Sequence, residues 1–167
     1  MKIKTRLPRF VIRSAVEADV PALLAFIREL AEYERLGHEV AATEGSLRDS
    51  LFGERKAAEA LIGEWDGQPV ASAVFFHNFS TFTGRPGLYL EDLYVKPGMR
   101  GKGIGRGLLA YLAKLAVERG CGRMEWSVLD WNEPALRFYR SIGAAPMTGW
   151  TVQRLAGKAL TSLADSF

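Results

Sequence analysis

Hydrophobic and polar residues follow two different periods along the chain. Apolar runs of strand length, several of them alternating and bounded by Gly, Pro or Asp, predict β-strands. These runs are residues 10–13, 58–65, 69–79, 87–95, 123–130 and 151–155. The dipeptide Asp66-Gly67 between the second and third runs is typical of a two-residue hairpin turn. The sequence therefore predicts six strands, two of them joined as a hairpin.

Other segments repeat their apolar residues every three to four positions, which predicts helices. Residues 17–36 contain one such stripe, formed by Val20, Leu23, Leu24, Ile27, Leu30 and Ala31. Thr43 is a suitable cap for a short second helix. A third helix runs from a glycine-rich segment to about Arg119, and a fourth covers residues 132–144.

The order of these elements is a strand, two helices, an antiparallel run of strands, and then strand–loop–helix–strand–helix–strand. That order predicts a mixed α/β fold with helices packed on a single sheet. At 167 residues and 48% hydrophobic, the chain is long enough to bury one substantial core. We expect a single domain over residues 10–167, preceded by a flexible basic tail, residues 1–9.

Composition and charge narrow the class of protein. The net charge of +3 is too small to indicate nucleic-acid binding by itself. Cys121 is the only cysteine, so no internal disulfide forms, and His38 and His77 are too scattered to suggest a zinc site. No apolar run reaches the length of a membrane span, and the basic N terminus lacks the hydrophobic region of a secretory signal. We expect a cytoplasmic protein without a metal and without membrane or nucleic-acid partners.

The segment VKPGMRGKGIGRGLL, residues 95–109, combines five glycines with four basic side chains at the start of a helix. Both features oppose helix formation, since glycine costs conformational entropy and like charges repel. A strand that leads into such a loop presents backbone N–H groups at the positive end of the helix dipole, which suits a phosphate. A flexible, solvated basic loop is the alternative.

Spacing excludes two familiar phosphate loops. A dinucleotide fingerprint that begins at either candidate glycine needs a further glycine where the chain has Arg106 or Leu108. A Walker loop needs Ser or Thr after its lysine, but Lys102 is followed by another glycine. The pattern that remains is Arg-x-x-Gly-x-Gly, formed by Arg100, Gly103 and Gly105.

This pattern, placed just after a strand, resembles the acetyl-coenzyme A pyrophosphate loop of the GNAT superfamily of N-acetyltransferases. LYLEDLYV before the loop and VLDWNEPALRFYRSIGA after it are similar to the spermidine/spermine N-acetyltransferase branch. FVIRSAVEADV and IRELAEYE, nearer the N terminus, are similar to that branch too. The resemblance covers residues 10–155 and implies the GNAT fold, with a central, twisted, mostly antiparallel sheet flanked by helices.

The resemblance implies that acetyl-coenzyme A is the cosubstrate. It also implies contacts with that molecule from the end of one strand, the glycine-rich loop and the start of the fourth helix: Leu93, Val95, Arg100, Gly101, Lys102, Gly103, Ile104, Gly105, Arg106 and Asn132. On the sequence alone, Asn132 is a suitable N-cap for the helix that follows it, and capping would explain the residue without a ligand.

Acetyl transfer to an amine needs a base for the ammonium group, whose pKa is roughly 10.4 if it is lysine-like, and an acid for the departing thiolate. Tyr139 shares a helix face with Leu136, while Phe138 and Ile142 form a neighbouring apolar face. A core tyrosine with a satisfied hydroxyl is the alternative to a functional one. The resemblance implies that Tyr139 protonates the thiolate.

Glu91 and Asp92 form an adjacent acidic pair within a largely apolar strand. Alternation places them on opposite faces, with Glu91 beside Tyr89 and Leu93, so one carboxylate should be partly buried and its pKa raised. An ion-paired carboxylate at a strand edge is the alternative. The resemblance implies that Glu91 accepts the amine proton, directly or through water, and that Asp92 helps to hold a cationic substrate.

The identity of the amine is suggested by where the resemblance weakens. The segments FSTFTG and GAAPMTGW lack acids that polyamine-specific members carry, whereas FSTF and VLDWN look more like the thialysine-acetylating relatives. Tyr33 and Glu34 match a family segment near the amine site, although they also simply end an amphipathic helix. We expect a small primary amine, with lysine-like amino acids such as thialysine first and diamines or polyamines second.

Other functions stay open at this point. The fold also occurs in acyl-coenzyme A-binding sensor or interaction modules with little turnover, and in acetyltransferases of protein N termini or lysine side chains. The presence of both Glu91 and Tyr139 favours an enzyme, and Cys121, with no base beside it in sequence, is expected to be structural, which favours direct transfer in a ternary complex. Members of this branch are generally dimers that use C-terminal strands, so the resemblance implies a homodimer.

Overall fold

The computed structural model describes residues 2–167, which divide into two compact units, one ending at Leu129 and one comprising Asp130–Phe167. The strands described in the first unit are β1 Lys2–Lys4, β2 Phe10–Ser14, β3 Glu59–Trp65, β4 Gln68–Ser80, β5 Arg85–Val95 and β6 Arg123–Trp126. The α-helices of this unit are α1 Val20–Tyr33, α2 Glu44–Phe52 and α3 Ile104–Glu118. The second unit contains α4 Glu133–Ser141 and α5 Gly157–Ala164.

The six described strands form one sheet in sequence order, from β1 at one edge to β6 at the other. Every neighbouring pair is antiparallel except β5 and β6, which run parallel. Asp66 and Gly67 both have positive φ angles, 49° and 81°, as a tight turn between β3 and β4 requires. The mixed α/β fold, the mostly antiparallel sheet and the hairpin predicted from the sequence are confirmed.

Helices pack on both faces of this sheet. Ile62 of β3 belongs to a buried cluster with Leu23 of α1 and Leu51 of α2. The next residue, Gly63, points to the opposite face, where the ring of Phe10 lies so close that a Cβ at 63 would be 2.7 Å from it. A Cβ on Gly107 of α3 would come within 3.3 Å of the same ring. α1 and α2 therefore cover one face, and α3 covers the other.

The helix starts follow the sequence signals closely. Pro21 lies in the first turn of α1, where its missing N–H has no cost. Thr43 accepts a hydrogen bond from the backbone N–H of Ser46 and so caps α2, as predicted. No helix in the described part of the chain is both long and apolar enough to cross a membrane.

The N-terminal segment differs from the flexible tail expected over residues 1–9. Residues 2–4 form β1, in which Lys2 lies opposite Arg13 and Lys4 lies opposite Val11 of β2. Lys2 Nζ also lies 2.6 Å from Oε2 of Glu64, a side chain only 6% exposed. The expectation of a loose tail is wrong for residues 2–4, because an almost buried carboxylate on β3 provides a partner for the first lysine.

The end of the chain also differs from the sequence prediction. Residues 151–155 form no strand, and Val152 is 84% exposed. A strand needs a neighbour to receive its ladder hydrogen bonds, and the unit Asp130–Phe167 contains none. The chain instead forms the helix α5, which the sequence analysis did not predict. The strand predicted over residues 123–130 is shortened to Arg123–Trp126 for the same reason, since β5 pairs with it over only four residues.

Candidate active site

The acidic pair of β5 lies at an irregular point in the sheet. Asp92 pairs with Val74 of β4 and Leu90 pairs with Phe75, so Glu91 is an extra residue in β5 and forms a β-bulge. β6 pairs with β5 only as far as Leu90. The pair therefore lies where the regular alternation of β5 stops and, among the described strands, where its neighbour on that side ends.

The two carboxylates of the pair have different environments. Glu91 is exposed, whereas Asp92 is half-buried. Burial, together with the negative charges of Glu91 and Glu34, raises the pKa of Asp92 to about 6. One partly buried carboxylate was expected from the strand pattern, and the bulge makes it Asp92.

Glu34 also acts electrostatically on Asp92, although it lies at the end of α1, far earlier in the sequence. It is the half-buried C-cap residue of α1, and burial raises its pKa as well. Both charges that act on Asp92 are negative, one from its own strand and one from α1. Glu34, Glu91 and Asp92, called here the acidic cluster, are thus an arrangement that a cation would stabilise.

The glycine-rich loop begins directly after β5 and turns sharply into α3. Gly101 and Gly103 have φ angles of 76° and 81°, in the left-handed region that favours glycine. Gly103 is the N-cap of α3, and no described side chain caps this helix end. The first N–H groups of the helix therefore have no intrahelical acceptor, while Ile104, 1% exposed, anchors its first turn in the core. This geometry fits a phosphate group.

Gly105, Val95 and Leu93 lie on the helix and strand that flank the loop. A Cβ on Gly105 would be 3.8 Å from Cγ2 of Val95, an ordinary contact, so this glycine is not required for packing there. Leu93 and Val95 are half-buried, and Arg106 is exposed in the first turn of α3. The cofactor-contacting residues predicted in the first unit are therefore contiguous along β5, the loop and α3.

The basic side chains of the loop already make defined contacts. Arg100 Nε donates a hydrogen bond to the carbonyl oxygen of Val95 at 3.1 Å, and its guanidinium carbon lies 4.6 Å from the ring centre of Tyr33. Lys102 Nζ lies 5.6 Å from the ring centre of Trp65. Tyr33, which the sequence comparison assigned to the amine site, therefore contacts the cofactor loop through Arg100.

A partly buried contact that local sequence patterns do not reveal joins α1 to β5. The Tyr94 hydroxyl donates a hydrogen bond to the carboxylate of Glu29, and the Tyr94 ring stacks on Phe26 with 5.2 Å between ring centres. Burial, followed by the Glu29 contact, raises the pKa of Tyr94 to about 12. No local signal reveals this contact, because Glu29 and Tyr94 are 65 positions apart and meet only through tertiary packing.

The second unit contains the remaining predicted site residues. Oδ1 of Asn132 accepts a hydrogen bond from the backbone N–H of Ala135 at 3.3 Å, so Asn132 caps α4 as predicted. Tyr139 is half-buried, with its ring centre 5.5 Å from that of Phe138. Within this unit, Tyr139 therefore lies on a helix whose first turn is stabilised by the Asn132 cap.

The described residues contain no cluster of three or more His, Cys, Asp or Glu side chains that would hold a metal ion. Cys121 is a half-buried free thiol.

Comparison with known proteins places this fold and loop in a class. Residues 24–144 match the model of the Acetyltransferase (GNAT) family, and the chain belongs to that family of N-acetyltransferases. The family implies the use of acetyl-coenzyme A, and the uncapped, glycine-rich start of α3 fits its pyrophosphate.

The chain is also similar to individual proteins of known activity and to a solved structure. The chain is 39% identical to a thialysine N-epsilon-acetyltransferase from Bos taurus, covering 92% of this chain and 96% of the relative. It is 30% identical to the L-ornithine N5-acetyltransferase NATA1 from Arabidopsis thaliana, covering 91% and 86%. Among solved structures, it is similar to an integron cassette protein from the mobile metagenome of V. cholerae, with a TM-score of 0.78, 28% identity and coverage of 93% and 98%.

Proposed function

We propose that this chain transfers the acetyl group of acetyl-coenzyme A directly to a primary amine of a small molecule, within a ternary complex. Lysine-like amino acids such as thialysine, or ornithine, are the first choice, and diamines or polyamines are the second. The observation that carries the proposal is the acidic cluster at the bulge of β5, where like charges act on one half-buried carboxylate. Two of the relatives are named as acetyltransferases of thialysine and of L-ornithine, and both names support the same substrate class.

The glycine-rich loop supplies the cofactor site in this proposal. Bound acetyl-coenzyme A provides the acetyl group as a thioester. The free N–H groups at the start of α3 bind the pyrophosphate, and Arg100, Lys102 and Arg106 add positive charge around it. Asn132, besides capping α4, contacts the pantetheine arm.

The acidic cluster receives the ammonium group of the substrate. Glu34 and Asp92 are half-buried, so a cation placed between them recovers part of the cost of burying their charge. One carboxylate of the cluster takes the proton that the amine must lose before it can attack, and the family resemblance assigns this role to Glu91. The thiolate that departs receives its proton from Tyr139.

The first experiment is a measurement of free thiol released from acetyl-coenzyme A with lysine, thialysine, ornithine, diamines, spermidine, spermine and a lysine-containing peptide. Turnover with the small lysine-like amines is expected. Binding of acetyl-coenzyme A without turnover of any amine would instead favour a sensor or interaction module, and turnover of the peptide alone would favour a protein acetyltransferase.

The role of Tyr139 is tested by Tyr139→Phe. We expect kcat to fall about 100-fold or more, because the general acid is removed, while the affinity for acetyl-coenzyme A changes little. Steady-state kinetics and titration calorimetry measure the two quantities. Near-normal turnover would exclude the role.

We also propose a homodimer, on the basis of the family resemblance. The exposed apolar side chains Trp150, Val152 and Leu155 are compatible with an intermolecular contact. Sedimentation velocity is the test, and a single monomeric species at micromolar concentrations would contradict the proposal.

A further inference from the structure

We propose that Asp92, rather than Glu91, is the carboxylate that accepts the proton of the ammonium substrate, and that Glu34 and Glu91 set its basicity. This inference rests on the proposed acetyltransferase function and goes beyond it by reassigning the base. Three features of the molecule support it: the register of β5, the burial of each carboxylate and the charges around them.

At the β-bulge, the two acidic residues of β5 differ in strand pairing and in solvent exposure. Glu91 is the unpaired extra residue and is exposed, so water solvates its charge. Asp92 lies opposite Val74 in the ladder and is half-buried. A carboxylate that is largely solvated has little driving force to take a proton from an ammonium group, whereas a poorly solvated one gains by becoming neutral.

The charges around Asp92 strengthen this difference. α1 contributes Glu34 and β5 contributes Glu91, both negative, while the residue opposite on β4, Val74, is apolar. Burial comes first and the two negative charges follow as causes of the raised pKa of Asp92, which is about 6. That pKa leaves the side chain ionised at neutral pH and close to the range in which general bases work best.

The proton and bond changes balance with these residues. The ammonium group gives one proton to the Asp92 carboxylate, and its nitrogen lone pair then forms the bond to the acetyl carbon as the carbon–sulfur bond breaks. The protonated Asp92 returns its proton to water. The departing sulfur takes its proton from Tyr139, and the second proton of the nitrogen passes through water to the Tyr139 oxygen. The products are the amide, the free thiol and the one proton that Asp92 releases, and both side chains return to their starting states.

The test compares pH profiles of kcat/KM for the wild type, Asp92→Asn and Glu91→Gln, with one lysine-like amine. For the wild type we expect an acidic limb near pH 6, below which the rate falls. Asp92→Asn should lose at least about 100-fold in kcat at pH 7 together with the limb. Glu91→Gln should keep the limb and move it to lower pH, because one of the charges that raise the pKa of Asp92 is gone.

Two further variants separate a proton acceptor from a residue that only holds the cation. Asp92→Glu restores a carboxylate and should recover a limb that Asp92→Asn lacks. Glu34→Gln should shift the limb to lower pH. If Asp92 only bound the ammonium group, Asp92→Asn would raise the amine KM and leave kcat nearly unchanged, whereas loss of the proton acceptor lowers kcat itself. Calorimetry with acetyl-coenzyme A verifies that each variant is folded.

Several outcomes would overturn the inference. An Asp92→Asn variant that keeps the acidic limb and most of kcat, while Glu91→Gln loses both, would assign the base to Glu91. A wild type that acetylates no amine while binding acetyl-coenzyme A would contradict the proposed function and this inference together. An active wild type with a normal Asp92→Asn variant would contradict this inference alone.

Discussion

Two groups of carboxylates in the first unit each include two that are poorly solvated, and the charges around these differ in sign: Asp19 and Glu64 in one group, Glu34 and Asp92 in the other. At the β1–β3 edge of the sheet, Arg13 binds Asp19 through two hydrogen bonds of 2.6 and 2.8 Å and Glu64 through one of 2.6 Å. Lys2 adds a second cation at Glu64. We call this group the paired cluster, because each of its acids has a basic partner.

The pKa values of the acids reflect this difference. Hydrogen bonding from Arg13 lowers the pKa of Asp19. Burial by itself would raise the pKa of Glu64, but hydrogen bonds from Lys2 and Arg13 lower it overall. In the acidic cluster, by contrast, the pKa values of both Glu34 and Asp92 are raised, and the charges that act on Asp92 are negative.

The paired cluster stabilises the fold, whereas the acidic cluster is suited to a cationic ligand. Charges in the paired cluster are neutralised within the protein, so that cluster stabilises the sheet and needs nothing from outside. The acidic cluster carries an electrostatic cost that a cationic substrate relieves. Substitutions should therefore have opposite effects on stability and on activity at the two places.

The largest effect is expected from breaking the paired cluster with Arg13→Met. Removal of the guanidinium leaves Asp19 and Glu64 without their main cation, and breaking such a buried pair costs about 3–5 kcal/mol. Urea denaturation measures the loss of unfolding free energy. A loss below about 1 kcal/mol would show that the cluster is solvated and contributes little.

A smaller effect is expected from Arg100→Ala, which removes a cation that is proposed to bind the pyrophosphate of acetyl-coenzyme A. Arg100 contacts a carbonyl oxygen and an aromatic ring, and a charge-assisted hydrogen bond to a phosphate is worth about 1.5–3 kcal/mol. Affinity for acetyl-coenzyme A should fall by that amount in calorimetry, with the unfolding free energy nearly unchanged. Unaltered affinity would remove Arg100 from the cofactor site.

Asp92→Asn should stabilise the protein, the reverse of Arg13→Met. The folded-state pKa of Asp92 is about 6 against 3.8 in the unfolded chain, so its ionisation disfavours folding at neutral pH by roughly 1–3 kcal/mol. For the same reason, the wild type should gain stability as the pH falls from 7 through 6 towards 4. The variant should lack the part of that gain that comes from Asp92. Thermal melts of both proteins across this range check the sign, and equal pH dependence would contradict it.

The smallest effect is expected at Tyr33. Tyr33→Leu removes the ring against which Arg100 lies, and an exposed cation–π contact is worth about 0.5–1 kcal/mol. Acetyl-coenzyme A should bind about two- to fivefold more weakly, whereas the control Tyr33→Phe, which keeps the ring, should bind normally. If Tyr33→Leu changes only the amine KM, the residue belongs to the substrate side, as the sequence comparison suggested.

Local signals predicted most of the elements. The stripe of α1, the cap at Thr43, the Asp66-Gly67 turn and the glycine-rich start of α3 all depend on residues close together in sequence. The chemistry of the acidic cluster does not. The bulge at Glu91 exists only in the pairing of β5 with β4, and the charge of Glu34 reaches Asp92 through tertiary packing.

The two errors at the chain ends have the same physical origin. β1 pairs with β2, and its Lys2 contacts Glu64, a residue 62 positions away. Residues 151–155 form no strand, and the unit Asp130–Phe167 contains no strand with which they could pair. A strand is a pairwise structure, so its existence depends on a partner that a local pattern does not contain. The hydrogen bonds of a helix are internal, and the sequence pattern predicted α1 to α4, although it missed α5.

The most direct test of the account is kcat/KM with a lysine-like amine at pH 7 for Asp92→Asn and Glu64→Gln, measured side by side. Each change neutralises one poorly solvated carboxylate, one from the acidic cluster and one from the paired cluster. The account predicts that Asp92→Asn loses at least about 100-fold while Glu64→Gln stays within a few-fold of the wild type at a temperature where it is folded. Equal losses in the two variants, or an active Asp92→Asn enzyme, would contradict the claim that the acidic cluster takes part in acetyl transfer.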